Sequence, residues 1–154
     1  MTFYTDGSAH PNPGPGGYGI VQIDEKTQEI INTYGKQYEG PVTNNQMELE
    51  AIVEVMLNFS VNIEEGGWGE IPIVYTDSNY CHQIFTNWMF GWERGGWIKS
   101  DKKVPENLEL IKKYFYHYQK GYRIDLRKCK GHAGNMYNEL ADKIATGVIH
   151  ADNI

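Results

Sequence analysis

Cysteine is scarce in this chain: Cys81 and Cys129 are the only two in 154 residues. Two thiols cannot supply the disulfide framework of a small secreted domain, and their spacing fits no metal-binding cysteine motif. Both are expected as free thiols in a reducing compartment. Long apolar runs are also missing. Nothing approaches the ~20 residues of a membrane span, so no membrane partner is expected. The opening Met1-Thr-Phe-Tyr-Thr-Asp6 has neither the basic start nor the apolar core of a secretory signal, and a cytoplasmic location is expected. There is no internal repeat and no low-complexity tract. Basic residues are rare over residues 1–98, which carry 3 against 13 acidic ones; residues 99–132 reverse the balance with 10 against 4, and the whole chain has a net charge of −6. An acidic protein with one basic segment can offer that segment to a polyanion while the rest stays solvated. A solvated basic face with no partner fits the same charges. What is present is ordinary globular chemistry, 40% hydrophobic and 22% charged, in a length that suits one domain with a sizeable core.

The hydrophobic pattern changes period along the chain. Phe3-Tyr-Thr is short and β-prone and predicts a strand that stops at Asp6-Gly7. Tyr18–Ile23 and Glu29–Tyr38 predict two more, joined by a turn at 24–26, which gives an antiparallel meander. Thr43-Asn44-Asn45 offers N-cap side chains, and Met47, Ala51, Val55 and Phe59 follow helical spacing, so a helix is predicted over 44–59. Gly66–Gly69 is a loop. Ile71–Thr76 predicts a buried strand with Pro72 at its start. Helical signals return after Asp77, break at Gly91 and Gly95-Gly96, and resume over 105–120. Tyr122–Cys129 predicts a last strand. Asn138–Ile149 predicts a last helix, with Leu140, Ile144 and Val148 on one face, and Ala151–Ile154 predicts a frayed tail. The order β-β-β-α-β-α-α-β-α predicts an α/β fold: a mixed sheet of five strands, three in the meander and two parallel, with helices on both faces. Residues 1–150 then form one domain and 151–154 a short tail.

Acidic residues sit where these strands end. Asp6 closes the first strand and Asp77 the fourth; if the two strands are parallel neighbours, both carboxylates emerge at one edge. Glu48 lies in the first turns of the intervening helix, and Asp142 in the last helix. Converging carboxylates repel unless a hard cation sits between them. Magnesium demands oxygen ligands and is commonly completed by a substrate phosphate. Two such ions about 4 Å apart suit phosphodiester displacement. Taken singly, each residue has a plainer reading. Asp before Gly or Ser is a turn former or cap, Glu48 a helix-start residue and Asp142 a surface one, so spacing alone leaves both readings open.

Six blocks resemble type 1 ribonucleases H. They are Thr5-Asp-Gly-Ser8, Asn12-Pro-Gly-Pro-Gly-Gly-Tyr-Gly19, Thr43-Asn-Asn-Gln-Met-Glu-Leu49, Tyr75-Thr-Asp-Ser78, Trp97-Ile-Lys-Ser-Asp-Lys-Lys103 and Lys130-Gly-His-Ala-Gly134. They stand in the family's order over nearly the whole chain. The resemblance implies a ribonuclease H-like fold and an endonuclease that hydrolyses the RNA strand of RNA–DNA hybrids, leaving 5′-phosphate and 3′-hydroxyl ends. It implies that Asp6, Glu48, Asp77 and Asp142 bind two Mg2+ ions, or Mn2+, and act in catalysis together with His132 of the Lys-Gly-His-Ala-Gly loop. It further implies that Asn12, Asn44, Asn45 and Asn79 meet RNA sugars and base edges in the minor groove, where only RNA offers a 2′-hydroxyl. Thr43 and Asn107 match a DNA-phosphate pocket, and Tyr80, Trp92 and Ser100 a DNA-strand channel. Trp88 reads as helix packing, and His10, His82, His117 and His150 as structural or surface. A monomer is expected.

Departures from the family pattern carry their own expectations. Pro41 stands where many members have an arginine. Residues 85–105 carry 4 basic and 2 acidic side chains, although this segment is usually rich in Lys and Arg, and Glu93 stands where a basic residue is common. Few phosphate contacts imply weak binding with a shallow salt dependence. A catalytically silent hybrid-binding module and a related-fold nuclease acting on DNA junctions are the competing readings. The full set of carboxylates speaks against the first, and the Asn44-Asn45 pair against the second.

Overall fold

The structure, a computed structural model, describes residues 1–129 and 135–153. A three-stranded antiparallel meander opens the chain: β1 (Thr2–Ala9), β2 (Gly14–Ile23) and β3 (Ile30–Val42). Helix α1 (Asn44–Phe59) crosses over to β5 (Ile73–Thr76), with a two-residue strand β4 (Val61–Asn62) between them. A helical rod follows in three parts: α2 (Asn79–Gln83), one π turn (Ile84–Trp88) and α3 (Met89–Arg94). Then come α4 (Leu108–Gln119), β6 (Tyr122–Arg123), β7 (Asp125–Lys128) and α5 (Met136–Ala145). The main sheet has the order β3-β2-β1-β5-β7, with β1, β5 and β7 parallel. This is the mixed five-stranded sheet the sequence predicts, and helices cover both of its faces.

Strand alternation sorts the two cores. Phe3 and Val74 face one side, where Leu49, Ile52 and Met56 of α1 pack with Ile84, Met89 and Ile111. Tyr4, Val21 and Ile23 face the other, against Ala141 and Ile144 of α5. The first core fixes α1 and the rod, and the second fixes α5, so each helix bearing a candidate carboxylate is anchored by its own apolar stripe.

Several elements differ from expectation, each for a physical reason. β1 does not stop at Asp6; it runs on to Ala9, because residues 6–9 pair with Gly16–Gly19 of β2. Gly7 and Gly19 are strand residues over which α1 and α5 pack closely, and the predicted loop at Gly66–Gly69 contains a short 3-10 turn over Gly67–Glu70. Gly91 lies inside α3, and the rod ends at Gly95 instead. The predicted strand 122–129 splits at Ile124: Tyr122–Arg123 pairs with β4, and only Asp125–Lys128 joins the main sheet. The last helix starts and ends earlier than predicted. Gly147 follows with φ +80°, a left-handed conformation that stops it, and Val148 is left 72% exposed rather than on the buried face. Residues 151–153 are not frayed. The Asp152 N–H donates to Thr33 Oγ1 at 2.9 Å, the Asn153 N–H to the Thr33 carbonyl at 3.0 Å, and the Gly35 N–H to the Asn153 carbonyl at 3.0 Å, which covers part of the β3 edge. Ile154 lies outside the described residues. Both cysteines are free thiols, and no helix among the described residues is long and apolar enough to cross a membrane.

Candidate active site

Parallel register brings the first two carboxylates level. Thr2, Phe3 and Tyr4 of β1 pair with Ile73, Val74 and Tyr75 of β5. Carried forward, that register sets Asp6 beside Asp77, one residue past the end of β5. Carboxyl ends of parallel strands are where ligands collect in such sheets. Asp6 is buried, 5% exposed, and lies inside β1 rather than at its end.

Glycine decides how close the helices come. A Cβ on Gly7 would stand 2.2 Å from the Glu48 nitrogen and 2.3 Å from the Met47 carbonyl carbon. The backbone of α1 therefore rests directly on β1, and Glu48 reaches Asp6. A Cβ on Gly19 would stand 2.3 Å from the Ala141 carbonyl oxygen. That absence seats α5, with Asp142 on its next residue, equally close on the other side. The start of α1 is fixed by a capping box: the Gln46 N–H donates to Thr43 Oγ1 at 3.0 Å, and the Gln46 side chain accepts from the Thr43 N–H. Thr43, not Asn45, is the N-cap.

One carboxylate oxygen from each of Asp6, Glu48 and Asp77 lies within 4.8 Å of the other two. Asp142 is outside this tight group but acts on Asp6 from α5. The Gly7 N–H donates to Asp6 Oδ1 at 2.9 Å, whereas Asp6 Oδ2 and Glu48 Oε2 are buried and accept no hydrogen bond. Burial above all pushes both groups up from the ordinary carboxylate range: Asp6, against a lowering hydrogen bond from Glu48 and with help from the Asp77 charge, to about 7, and Glu48, beside the Asp6 charge, further still. Without a cation the pair holds a proton at neutral pH. Two orphaned buried oxygens in a partly buried, all-oxygen donor set fit a hard divalent cation, which would replace that proton.

The other candidate residues fall into three places. Asn44 and Asn12 brace one loop: the Ala9 N–H donates to Asn44 Oδ1 at 2.7 Å, and the Asn44 N–H to Asn12 Oδ1 at 3.1 Å. Their oxygens are used inward, so their NH2 groups are left for outside partners. Asn45 is exposed on the first turn of α1, and Asn79 is the exposed first residue of α2, behind the N-cap Ser78. Tyr80, Trp88 and Trp92 form a ladder on the rod, with ring centroids 6.2 and 6.0 Å apart. Trp92 and Ser100 line one open groove with Trp88 and Lys99. The packing roles are the reverse of those expected: Trp92 leans on the core, while Trp88 is 39% exposed. The π turn adds one residue to the rod and turns Trp88 toward Tyr80. Asn107 precedes α4 at φ +60° and its side chain caps nothing. His132, with residues 130–134, lies outside the described residues.

Two contributors were not legible as site residues in the sequence. Gly7 reads there as a turn former. Gln37 carries no motif, yet its Nε2 donates to the carbonyls of Ile144 and Ala145 at 2.8 and 3.0 Å, tying the end of α5 to β3.

A family model for RNase H matches residues 1–150. The chain is 36% identical over 148 residues to the ribonuclease H of Rickettsia canadensis (strain McKiel), covering 94% of this chain and 86% of that one. It is 38% identical over 145 residues to the ribonuclease H of Aliivibrio salmonicida (strain LFI1238), covering 94% and 85%. Among solved structures it is similar to LC9-RNase H1, a type 1 RNase H with the type 2 active-site motif, with a TM-score of 0.72 and 25% identity over 98% of this chain and 74% of that one. With this fold and these relatives, the chain belongs to the RNase H family and is a ribonuclease H enzyme.

Proposed function

We propose that this enzyme hydrolyses the RNA strand of RNA–DNA hybrids with two divalent cations, Mg2+ or Mn2+, and leaves 5′-phosphate and 3′-hydroxyl ends. The observation that carries the reading is the group of Asp6, Glu48 and Asp77 oxygens within 4.8 Å of one another, two of whose carboxylates keep a buried oxygen with no hydrogen-bond partner. Relatives named ribonuclease H, 36% and 38% identical over nearly the whole chain, support the substrate class. Asp6, Glu48, Asp77 and Asp142 would hold the ions, which when bound supply activation of the attacking water and stabilisation of the leaving oxygen.

The chain's own residues account for the rest. Asp6 and Glu48 give up their shared proton when the cations enter, so the site is assembled by deprotonation. The outward NH2 groups of Asn12 and Asn44, with Asn45 and Asn79, donate to 2′-hydroxyls and minor-groove acceptors without demanding one sequence. The Tyr80–Trp88–Trp92 ladder, with Ser100, gives the DNA strand an aromatic wall, which a 2′-hydroxyl would crowd. Thr43 and Asn107 take a DNA phosphate. His132 assists proton transfer or product release, tasks suited to an imidazole. The enzyme acts as a cytoplasmic monomer.

A substrate panel tests this. Labelled hybrid should be cut in Mg2+ or Mn2+ and left whole in EDTA, whereas duplex DNA and duplex RNA should stay intact. The fragments should accept ligation that requires a 5′-phosphate. Asp77→Asn should fold and cut nothing. Cleavage in EDTA, equal cutting of duplex DNA, or near wild-type turnover by Asp77→Asn would overturn the reading.

A further inference from the structure

The cleft between β1 and α5 continues beyond the carboxylates. Asp6, Ser8 and His10 occupy alternate positions and so share the face of β1 turned to α5. His10 stays in register, because its N–H donates to the Pro15 carbonyl at 2.9 Å, which extends the β1–β2 ladder. On the opposite wall, Thr146 follows Asp142 by four residues and stands one turn along the helix. Asp6 with Asp142 forms one rung; Ser8 and His10 with Thr146 form the next. That second rung surrounds a cleft of about 160 Å³, which Gly16 and Gln37 also line.

The donors of this cleft are unevenly committed. The Thr146 hydroxyl lies 3.0 and 3.2 Å from the Asp142 and Lys143 carbonyls, and the Gln37 amide is spent on Ile144 and Ala145. Among the described residues, neither the Ser8 hydroxyl nor the His10 imidazole makes a side-chain hydrogen bond, and His10 is exposed. At about 3.3 Å per strand residue, Ser8 lies ~7 Å and His10 ~13 Å beyond Asp6. The cleft therefore presents one O–H and one imidazole, both unspent, in line with the carboxylates and outside their reach.

We propose that Ser8 and His10 form a second phosphate subsite, which holds a backbone phosphate of the RNA strand one to two nucleotides from the bond being cut. The inference rests on the hydrolase reading above. A phosphodiester oxygen accepts from both groups, and such contacts set the register of a strand without reading its sequence. Over residues 1–98, where the chain has only 3 basic side chains, this subsite supplies strand positioning that lysine and arginine do not.

The test pairs a residue change with a change in one phosphate. Hybrids are made in which single RNA linkages near a fixed cut site are neutral methylphosphonates. For the wild type, KM should rise about three- to tenfold, the worth of one exposed hydrogen bond, at one linkage within two nucleotides of the cut. His10→Ala should raise KM for the unmodified hybrid by a similar factor, keep kcat, and be indifferent to the methylphosphonate at that linkage. Ser8→Ala should show the same pattern more weakly, and melting curves should show both variants folded. A wild-type KM for folded His10→Ala, or methylphosphonate penalties that persist in full on that background, overturns the subsite while leaving the hydrolase reading standing. A wild type that leaves hybrid uncut in both metals overturns the hydrolase reading and the subsite with it.

Discussion

Replacing Asp6 by asparagine should end hybrid cleavage and make the metal-free protein more stable. The carboxyl is buried, its Oδ2 has no partner, and burial with its acidic neighbours holds it up at about 7. A carboxyl raised from an ordinary 3.8 to about 7 costs the folded state about 4 kcal/mol once both states are ionised, at 1.36 kcal/mol per pH unit. Because the proton is shared with Glu48, a figure of about 2–4 kcal/mol is the fairer expectation. Below about pH 4 both states are protonated and the cost is absent. It grows as pH rises and is complete only above the raised value. Asparagine keeps the acceptor for the Gly7 N–H and can donate to Glu48, so the variant escapes that cost. In EDTA at pH 7.5, Asp6→Asn should melt about 4–15 °C above the wild type. At pH 4.5 most of that gain should be gone. Adding Mg2+ at pH 7.5 should raise the wild-type melting point and narrow the gap, because only the wild type keeps the full ligand set. Equal melting points at pH 7.5, or a gain undiminished at pH 4.5, would refute the electrostatic argument.

Other perturbations probe how the helices are seated. Gly7→Ala would drive a methyl group to 2.2 Å from the Glu48 nitrogen; α1 must lift, and thermal melting should show a loss of about 3 kcal/mol or more. Gln37→Ala removes two hydrogen bonds to the end of α5. Stability should fall by about 1–2 kcal/mol, and steady-state kinetics should show kcat reduced through Asp142 while the KM for hybrid holds.

The sequence makes the sheet and its order legible because apolar alternation and helical periodicity are strong over Tyr18–Ile23 and Asn44–Phe59. It misplaces boundaries where local chemistry and tertiary packing disagree. Residues 6–9 and 14–17 have turn composition, yet they are strand, because they pair with neighbouring strands along the meander, and Gly7 is there to let α1 approach. Gly91 looks like a helix breaker, but core packing of Met89 and Trp92 carries the rod past it. The chain end looks free, and only the fold reveals the β3 edge that Asp152 and Asn153 bond to. At the site, the sequence pairs Asp6 with Asp77 only on the condition that their strands are parallel neighbours, which the β1–β5 register meets. Glu48 needed the closeness of α1 that Gly7 permits, and Gln37, 107 residues from its partner Ile144, had no local signal at all.

The central claim is that Asp6, Glu48 and Asp77 grip a divalent cation. It is tested most directly by anomalous diffraction from crystals grown with Mn2+ and a hybrid whose RNA strand cannot be cut. The account requires a manganese peak in direct contact with oxygens of all three residues and with a phosphate of the RNA. Manganese peaks confined to other surfaces, with the three carboxylates bare beside bound hybrid, would contradict it.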